Sequence, residues 1–169
     1  MAIFSTKNLQ PKKEEPVVKK HTVLLVDDEE ANLRVMSSLL SNKCNIMTAL
    51  NGQIALDMIE NLGDQELSMI ISDQRMPQMT GVELLGKTVE ILPETMRLIV
   101  SGYSDMGAIL SAINKAKIYH FLTKPFEPAD FLSIVDQALQ TYDLKRDMTN
   151  QFEAMQKKLA MLESERESK

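Results

Sequence analysis

The 169 residues contain a single cysteine, two histidines and no tryptophan. Cys44 alone can form no internal disulfide and no multi-thiolate zinc or iron–sulfur site. With only His21 and His120 present, a histidine-rich metal centre is excluded as well. No stretch approaches the roughly 18 apolar residues that a membrane span needs. The opening segment MAIFSTKNLQPKKEEPVVKK lacks the long apolar core of a signal peptide. Positive charge is also scarce, with 19 Lys and Arg against 24 Asp and Glu and a net charge of −5. That balance argues against a general nucleic-acid binder, which needs clustered cations for the phosphate backbone. What is present is an ordinary globular mixture, 44% hydrophobic and 25% charged. The expectation is an acidic, cytoplasmic protein with no membrane segment and no direct nucleic-acid contact.

Residues 1–20 stand apart. Lys7, Lys12, Lys13, Lys19 and Lys20 face only Glu14 and Glu15, so this piece is basic while the remainder is acidic. Two prolines and little periodicity mark it as a flexible basic arm, most simply a solvated tail. From His21 the pattern turns regular. Val23–Val26 is a continuous apolar run that ends at Asp27 and Asp28, the signature of a strand buried on both faces. Residues 29–41 place Leu33, Met36, Leu39 and Leu40 at helical spacing. Ile46–Leu50 reads as a second strand, and Asn51 caps a helix carrying Ile54, Ala55, Met58 and Ile59. A third strand, Met69–Ile71, terminates at Asp73, and a helix over 81–92 turns Val82, Leu85 and Val89 inward. Leu98–Val100, a helix from Asp105 to Ala116, Ile118–Leu122 and a helix from about Glu127 complete the series. Five βα units imply an α/β fold, a doubly wound parallel sheet with helices on both faces.

In such a sheet, ligands bind beyond the carboxyl ends of the strands. Those ends carry Asp27 and Asp28, Asp73, Ser101, and Thr123 with Lys124. Packed carboxylates raise one another's pKa unless a cation intervenes. A hard divalent ion such as Mg²⁺ resolves the repulsion, because it accepts one or two carboxylates plus waters and phosphate oxygens. With the metal and Lys124 neutralising charge, one carboxylate can act as a nucleophile toward phosphorus. Metal, ammonium, the Ser101 hydroxyl and backbone N–H groups would then receive the phosphoryl oxygens. A lone aspartate after a strand is usually a cap or turn residue; four matched strand ends in order point to a site.

The segments VLLVDDEEANLR, ISDQRMPQMTGVELL, LIVSGYSD and FLTKPF resemble those of two-component response regulator receiver domains, over roughly residues 21–140. The resemblance implies a flavodoxin-like five-stranded parallel sheet of order 2-1-3-4-5 that accepts a phosphoryl group from a histidine kinase or phosphotransfer protein. It implies Asp73 as the phosphoacceptor, and Asp27, Asp28, Asp73 and the backbone carbonyl of Arg75 as Mg²⁺ ligands. Ser101 falls at the family's hydroxyl position, Lys124 at its lysine, often before a cis peptide to Pro125, and Phe121 at its aromatic switch. Serine here replaces the more frequent threonine, and Phe121 lacks a tyrosine hydroxyl, so switching there must work by packing. Arg75 and Tyr103 lie where the family tunes dephosphorylation. An aspartyl phosphohydrolase is the main rival class, but Asp27-Asp28-Glu29 lacks its Asp-x-Asp spacing. Nor does a Gly-rich nucleotide loop follow the first strand. The implied activity is therefore self-catalysed phosphoryl transfer within a signalling domain, not turnover.

The expected organisation is an arm over 1–20, a receiver over 21–142 and a helical, coiled-coil extension over 143–169. From Phe131 a heptad runs with Phe131, Ala138, Lys145, Phe152 and Leu159 at a, and Ile134, Thr141, Met148, Met155 and Leu162 at d. These 32 residues would span about 48 Å, more than twice what a receiver's last helix needs. Such a seam suits a homodimer or a lead into an output domain, a solvated tail being the plain alternative. The phrases SDQRMP and IYHFLTKPF are similar to those of regulators that continue into HD-GYP-type phosphodiesterase or related domains. The 27 or so residues past position 142 are too few for such a domain. His120 reads as a surface histidine, and Cys44 as a buried apolar side chain.

Overall fold

The structure, a computed structural model, describes residues 20–102 and 105–167. The arm expected over 1–20, Lys20 excepted, and Tyr103 lie outside the described residues. The elements alternate as expected: β1 (His21–Val26), α1 (Glu30–Leu40), β2 (Cys44–Ala49), α2 (Gly52–Glu60), β3 (Met69–Asp73), α3 (Gly81–Ile91), β4 (Met96–Ser101), α4 (Met106–Ala116), β5 (His120–Thr123) and α5 (Pro128–Glu167). All strand pairs are parallel, in the order β2-β1-β3-β4-β5. The central strands bury both faces, which is why they read as unbroken apolar runs. On one face Val23, Leu25, Ile71, Leu98 and Val100 meet α1 and α5 through Leu33, Met36, Phe131, Val135 and Ala138. On the other, Leu24, Val26, Ile70 and Ile99 meet Ala55, Ile59, Leu84 and Leu85. His120 is exposed, and Cys44, the first residue of β2, is buried and in no disulfide.

Two helices sit differently from the expectation. α3 buries Gly81, Leu84, Leu85 and Thr88, while Val82 and Val89 are only half-buried. The reason lies at its first residue. A Cβ on Gly81 would stand 2.2 Å from the Asp73 carbonyl oxygen, so glycine lets the helix start hard against β3 and sets its rotation. In α2, capped as expected by Asn51 accepting from the Ile54 N–H at 2.8 Å, Ile54 is exposed and Gly52, Ala55 and Ile59 take the inner face.

One buried charge has no counterpart in the sequence reading. Arg97 is 2% exposed at the start of β4. Its guanidinium donates to Thr88 Oγ1 at 3.0 Å, Thr88 O at 2.9 Å, Leu92 O at 2.5 Å and Thr95 O at 2.8 Å. Two of the carbonyl acceptors belong to the carboxyl end of α3, where the dipole favours a cation; the Thr88 carbonyl also accepts from the Leu92 N–H at 2.9 Å. Burial lowers its pKa from the ordinary arginine value.

α5 is one helix of 40 residues. Its first half is fixed to the domain by buried Phe131, Val135, Ala138, Leu139 and Tyr142. Ion pairs from Asp136 to Lys43, Asp143 to Lys20 and Arg146 to Glu66 add to this. From Asp147 to Ser164 every residue is exposed.

Candidate functional site

Register brings the strand ends together. β1 and β3 pair Val26 with Ser72, β3 and β4 pair Asp73 with Val100, and β4 and β5 pair Ser101 with Thr123. Asp27, Asp73, Ser101 and Lys124 thus emerge along one edge of the sheet. Asp27, Asp28, Glu29, Asp73, Arg75, Gly102, Asp105 and Lys124 line a cleft of about 240 Å³ there.

Lys124 is the centre of charge. Its Nζ donates to Asp73 Oδ1 at 2.6 Å and to Asp27 Oδ2 at 3.1 Å. It follows β5 directly and precedes a cis peptide to Pro125. Asp27 is 1% exposed and fully engaged: the Glu29 N–H donates to Oδ1 at 2.9 Å, and Asn32 Nδ2 reaches both oxygens at 3.1 Å. Asp28 is exposed at the rim of the same cleft. The Arg75 N–H donates to Asp73 Oδ2 at 2.6 Å. Asp73 lies above the usual carboxylate range because burial penalises its charge; Lys124 opposes the rise and Asp27 adds to it. Burial pulls the Lys124 ammonium down, but its bonds to Asp73 and Asp27 outweigh this and leave its pKa raised.

Ser101 is buried, its Oγ turned to Gly102 O at a long 3.3 Å. Phe121 is half-buried and packs against the core layer that holds Leu84, Leu85 and Ile99. The structure therefore collects Asp27, Asp28, Asp73, Arg75 and Lys124 around one cleft, with Ser101 at the strand end beside it.

Three participants escape the sequence reading. Asn32, a turn beyond Asp27, holds that carboxylate; an amide at the start of a helix after an acidic strand end is the available signal. Gln74, 6% exposed, accepts from the Val82 N–H at 3.0 Å and so ties the residue after Asp73 to α3. Asp105, expected only as a helix start, accepts from Arg75 Nε at 2.6 Å. Nothing local announces that pairing, because thirty residues separate the partners.

A divalent cation fits this donor set by its chemistry. Among the described residues no three His, Cys, Asp or Glu side chains are placed to hold a metal ion by themselves. Two buried carboxylates with a third at an open rim instead leave room for waters and a phosphoryl oxygen, the surroundings Mg²⁺ prefers. No described helix is long and apolar enough to cross a membrane.

Comparison with known proteins agrees with the fold. The hydrogenase transcriptional regulatory protein HoxA of Cupriavidus necator is 35% identical over 130 residues, 77% of this chain and 26% of that protein. The chain thus spans about a quarter of this curated relative's length. Among solved structures, an uncharacterised protein from Neptuniibacter caesariensis superposes with a TM-score of 0.69 at 37% identity, covering 76% of this chain and 94% of that one. The signal receiver domain of an HD domain-containing protein from Pseudomonas fluorescens Pf-5 gives 0.70 at 31% identity, covering 80% and 98%. Residues 23–136 match the response regulator receiver domain, and the chain belongs to that family.

Proposed function

We propose that Asp73 accepts a phosphoryl group from a phosphohistidine donor, a histidine kinase or phosphotransfer protein, and that this switches an output domain or effector. The observation that carries the reading is the Lys124 ammonium held 2.6 Å from Asp73 and 3.1 Å from Asp27. An Asp73 carboxylate oxygen attacks phosphorus, the P–N bond breaks, and the imidazole leaves with the electron pair and takes a proton from solvent. Lys124 holds the acceptor ionised and meets a phosphoryl oxygen, and the Ser101 hydroxyl turns from Gly102 toward another. Withdrawal of Ser101 opens space for the Phe121 ring, which moves by packing alone. Asp27, Asp28, Asp73 and the Arg75 carbonyl would hold Mg²⁺, whose charge would offset that of the phosphoryl oxygens. Phosphoryl transfer and hydrolysis are self-catalysed, and a cytoplasmic setting belongs to the same proposal.

Incubation with acetyl phosphate and Mg²⁺ should add the mass of one phosphoryl group, located at Asp73 by peptide mapping. Full labelling in the presence of a chelator would remove the metal from the scheme. Multiple turnover of a small phosphate ester would favour the phosphohydrolase class instead.

The reading assigns residues 21–142 to the receiver and 143–169 to an extension that pairs with a second copy. Met148, Phe152, Met155, Leu159 and Leu162 repeat at heptad spacing and are each at least half exposed. Burying Phe152 and Leu159 against a partner contributes roughly 1.5–3 kcal/mol for each large side chain. Lys145, at an a position of the expected heptad, keeps the seam modest. Sedimentation equilibrium should show a reversible dimer that Phe152→Glu with Leu159→Glu renders monomeric. A wild-type chain that stays monomeric at high micromolar concentration, with and without beryllofluoride, would overturn the pairing.

A further inference from the structure

Asp105 stands in the capping position of α4, yet its side chain makes no hydrogen bond to the helix. Its Oδ1 is held by Arg75 Nε at 2.6 Å, and its buried Oδ2 has no hydrogen-bond partner among the described residues. That second oxygen lies 3.8 Å from where a Cβ on Gly102 would stand, so the carboxylate folds over the residue that follows Ser101. Arg75 meanwhile donates its backbone N–H to Asp73 Oδ2 at 2.6 Å. One residue therefore links the acceptor carboxylate to the start of α4.

The charges lining the cleft decide what an added phosphoryl group would do. Asp27, Asp28, Glu29, Asp73 and Asp105 are its carboxylates, and Lys124 and Arg75 its cations. Lys124 already serves Asp27 and Asp73. The Arg75 side chain is 67% exposed, so its pair with Asp105 is solvent-screened and open to competition. A phosphoryl group offers several strong acceptor oxygens and nearly two negative charges, a better match for a guanidinium than one carboxylate oxygen.

We propose that the Arg75–Asp105 ion pair is a latch that phosphorylation opens. The inference rests on the reading of Asp73 as acceptor. Arg75 turns to the phosphoryl oxygens, and the released Asp105 carboxylate takes up the capping role it lacks, accepting from the Gly107 or Ala108 N–H. The first turn of α4 is then ordered by a charge route, alongside the packing route through Ser101 and Phe121. Arg75 and Asp105 are positioning residues in this scheme.

Hydrogen exchange on the full chain, with Mg²⁺ and with or without beryllofluoride, tests it. In the wild type, beryllofluoride should slow exchange at Gly107 and Ala108 about fivefold, the scale of one side-chain cap. Arg75→Ala should show the slow exchange before any beryllofluoride is added. Asp105→Ala should lose the response at 107 and 108 while keeping the responses near Asp73 and Ser101. Wild-type changes near Asp73 and Ser101 with none at 107 and 108 would overturn the latch and leave the acceptor reading intact. An Arg75→Ala variant that exchanges like the resting wild type would also overturn it. No beryllofluoride response anywhere would instead overturn the acceptor reading, and the latch with it.

Discussion

Replacing Asp73 with asparagine is expected to abolish phosphoryl incorporation and, at the same time, to make the folded chain more stable. The first outcome follows from chemistry, since an amide offers no carboxylate oxygen for attack on phosphorus. The second follows from the burial that lifts the Asp73 pKa above its ordinary value. A folded state with a raised carboxyl pKa holds its proton more tightly than the unfolded chain does. That stabilisation is complete below the ordinary aspartate range and is lost as pH rises toward the raised folded value. Above that window the ionised carboxylate is a standing cost, which Lys124 reduces and does not cancel. The uncharged amide of the variant carries no such cost, but it also deprives Lys124 of the partner that most raises its pKa. At neutral pH the net gain in melting temperature should therefore be small, about 3 °C or ~1 kcal/mol at most. The gap should shrink as pH falls through the acidic window. Thermal melts at several pH values, beside intact-mass labelling with acetyl phosphate, read both outcomes. Equal or lower stability of the variant at neutral pH would mean that Lys124 compensates the buried charge in full.

The largest loss of stability should come from a residue far from the cleft. Arg97→Met is expected to cost about 3 kcal/mol, and to lower the melting temperature by about 10 °C. Methionine restores much of the volume, so the loss reports hydrogen bonding more than cavity formation. Without the guanidinium, the Thr88, Leu92 and Thr95 carbonyls lose its charged donors at a buried position. Lysine should rescue little, because one ammonium cannot reproduce a planar fork bonded to four acceptors. Arginine keeps its charge throughout the physiological range, so no pH dependence is expected from it near neutrality. Denaturant melts of the three proteins would decide, and a methionine variant as stable as the wild type would show that the end of α3 repairs itself.

Arg97 also shows where sequence reading stops. Strands are legible wherever an unbroken apolar run gives way to polar residues, as at Val23–Val26 before Asp27 or Met69–Ile71 before Ser72 and Asp73, because burial on both faces leaves no other pattern. The fourth strand reads as Leu98–Val100, whereas it runs from Met96, since a charged residue inside a buried strand contradicts that pattern. Its acceptors lie at the end of a helix that only the folded chain brings near. The rotation of α3 is hidden for a similar reason. Val82 and Val89 are more apolar than Thr88, but the close approach at Gly81 places Leu84 and Thr88 inward. The strand-end residues Asp27, Asp73, Ser101 and Lys124 are readable because topology alone sends them to one edge. Gln74 and Asp105 act through partners eight and thirty residues away, and no spacing rule marks them; Asn32 offers only the weak signal of an amide just after an acidic strand end.

The uninterrupted α5 has a mechanical consequence. No glycine or proline occurs after Pro128, so nothing in the sequence supplies a hinge between the buried root near Tyr142 and the far end. The 24 residues from Leu144 to Glu167 form an arm of about 36 Å. A tilt of only about 5° at the root would sweep its tip through about 3 Å, and an axial turn of the root would re-aim every side chain along the arm together. Displacements too small to remodel the domain surface would thus become large at a distance, with the helix acting as a lever whose fulcrum is the packing of Phe131, Val135 and Tyr142 on the sheet.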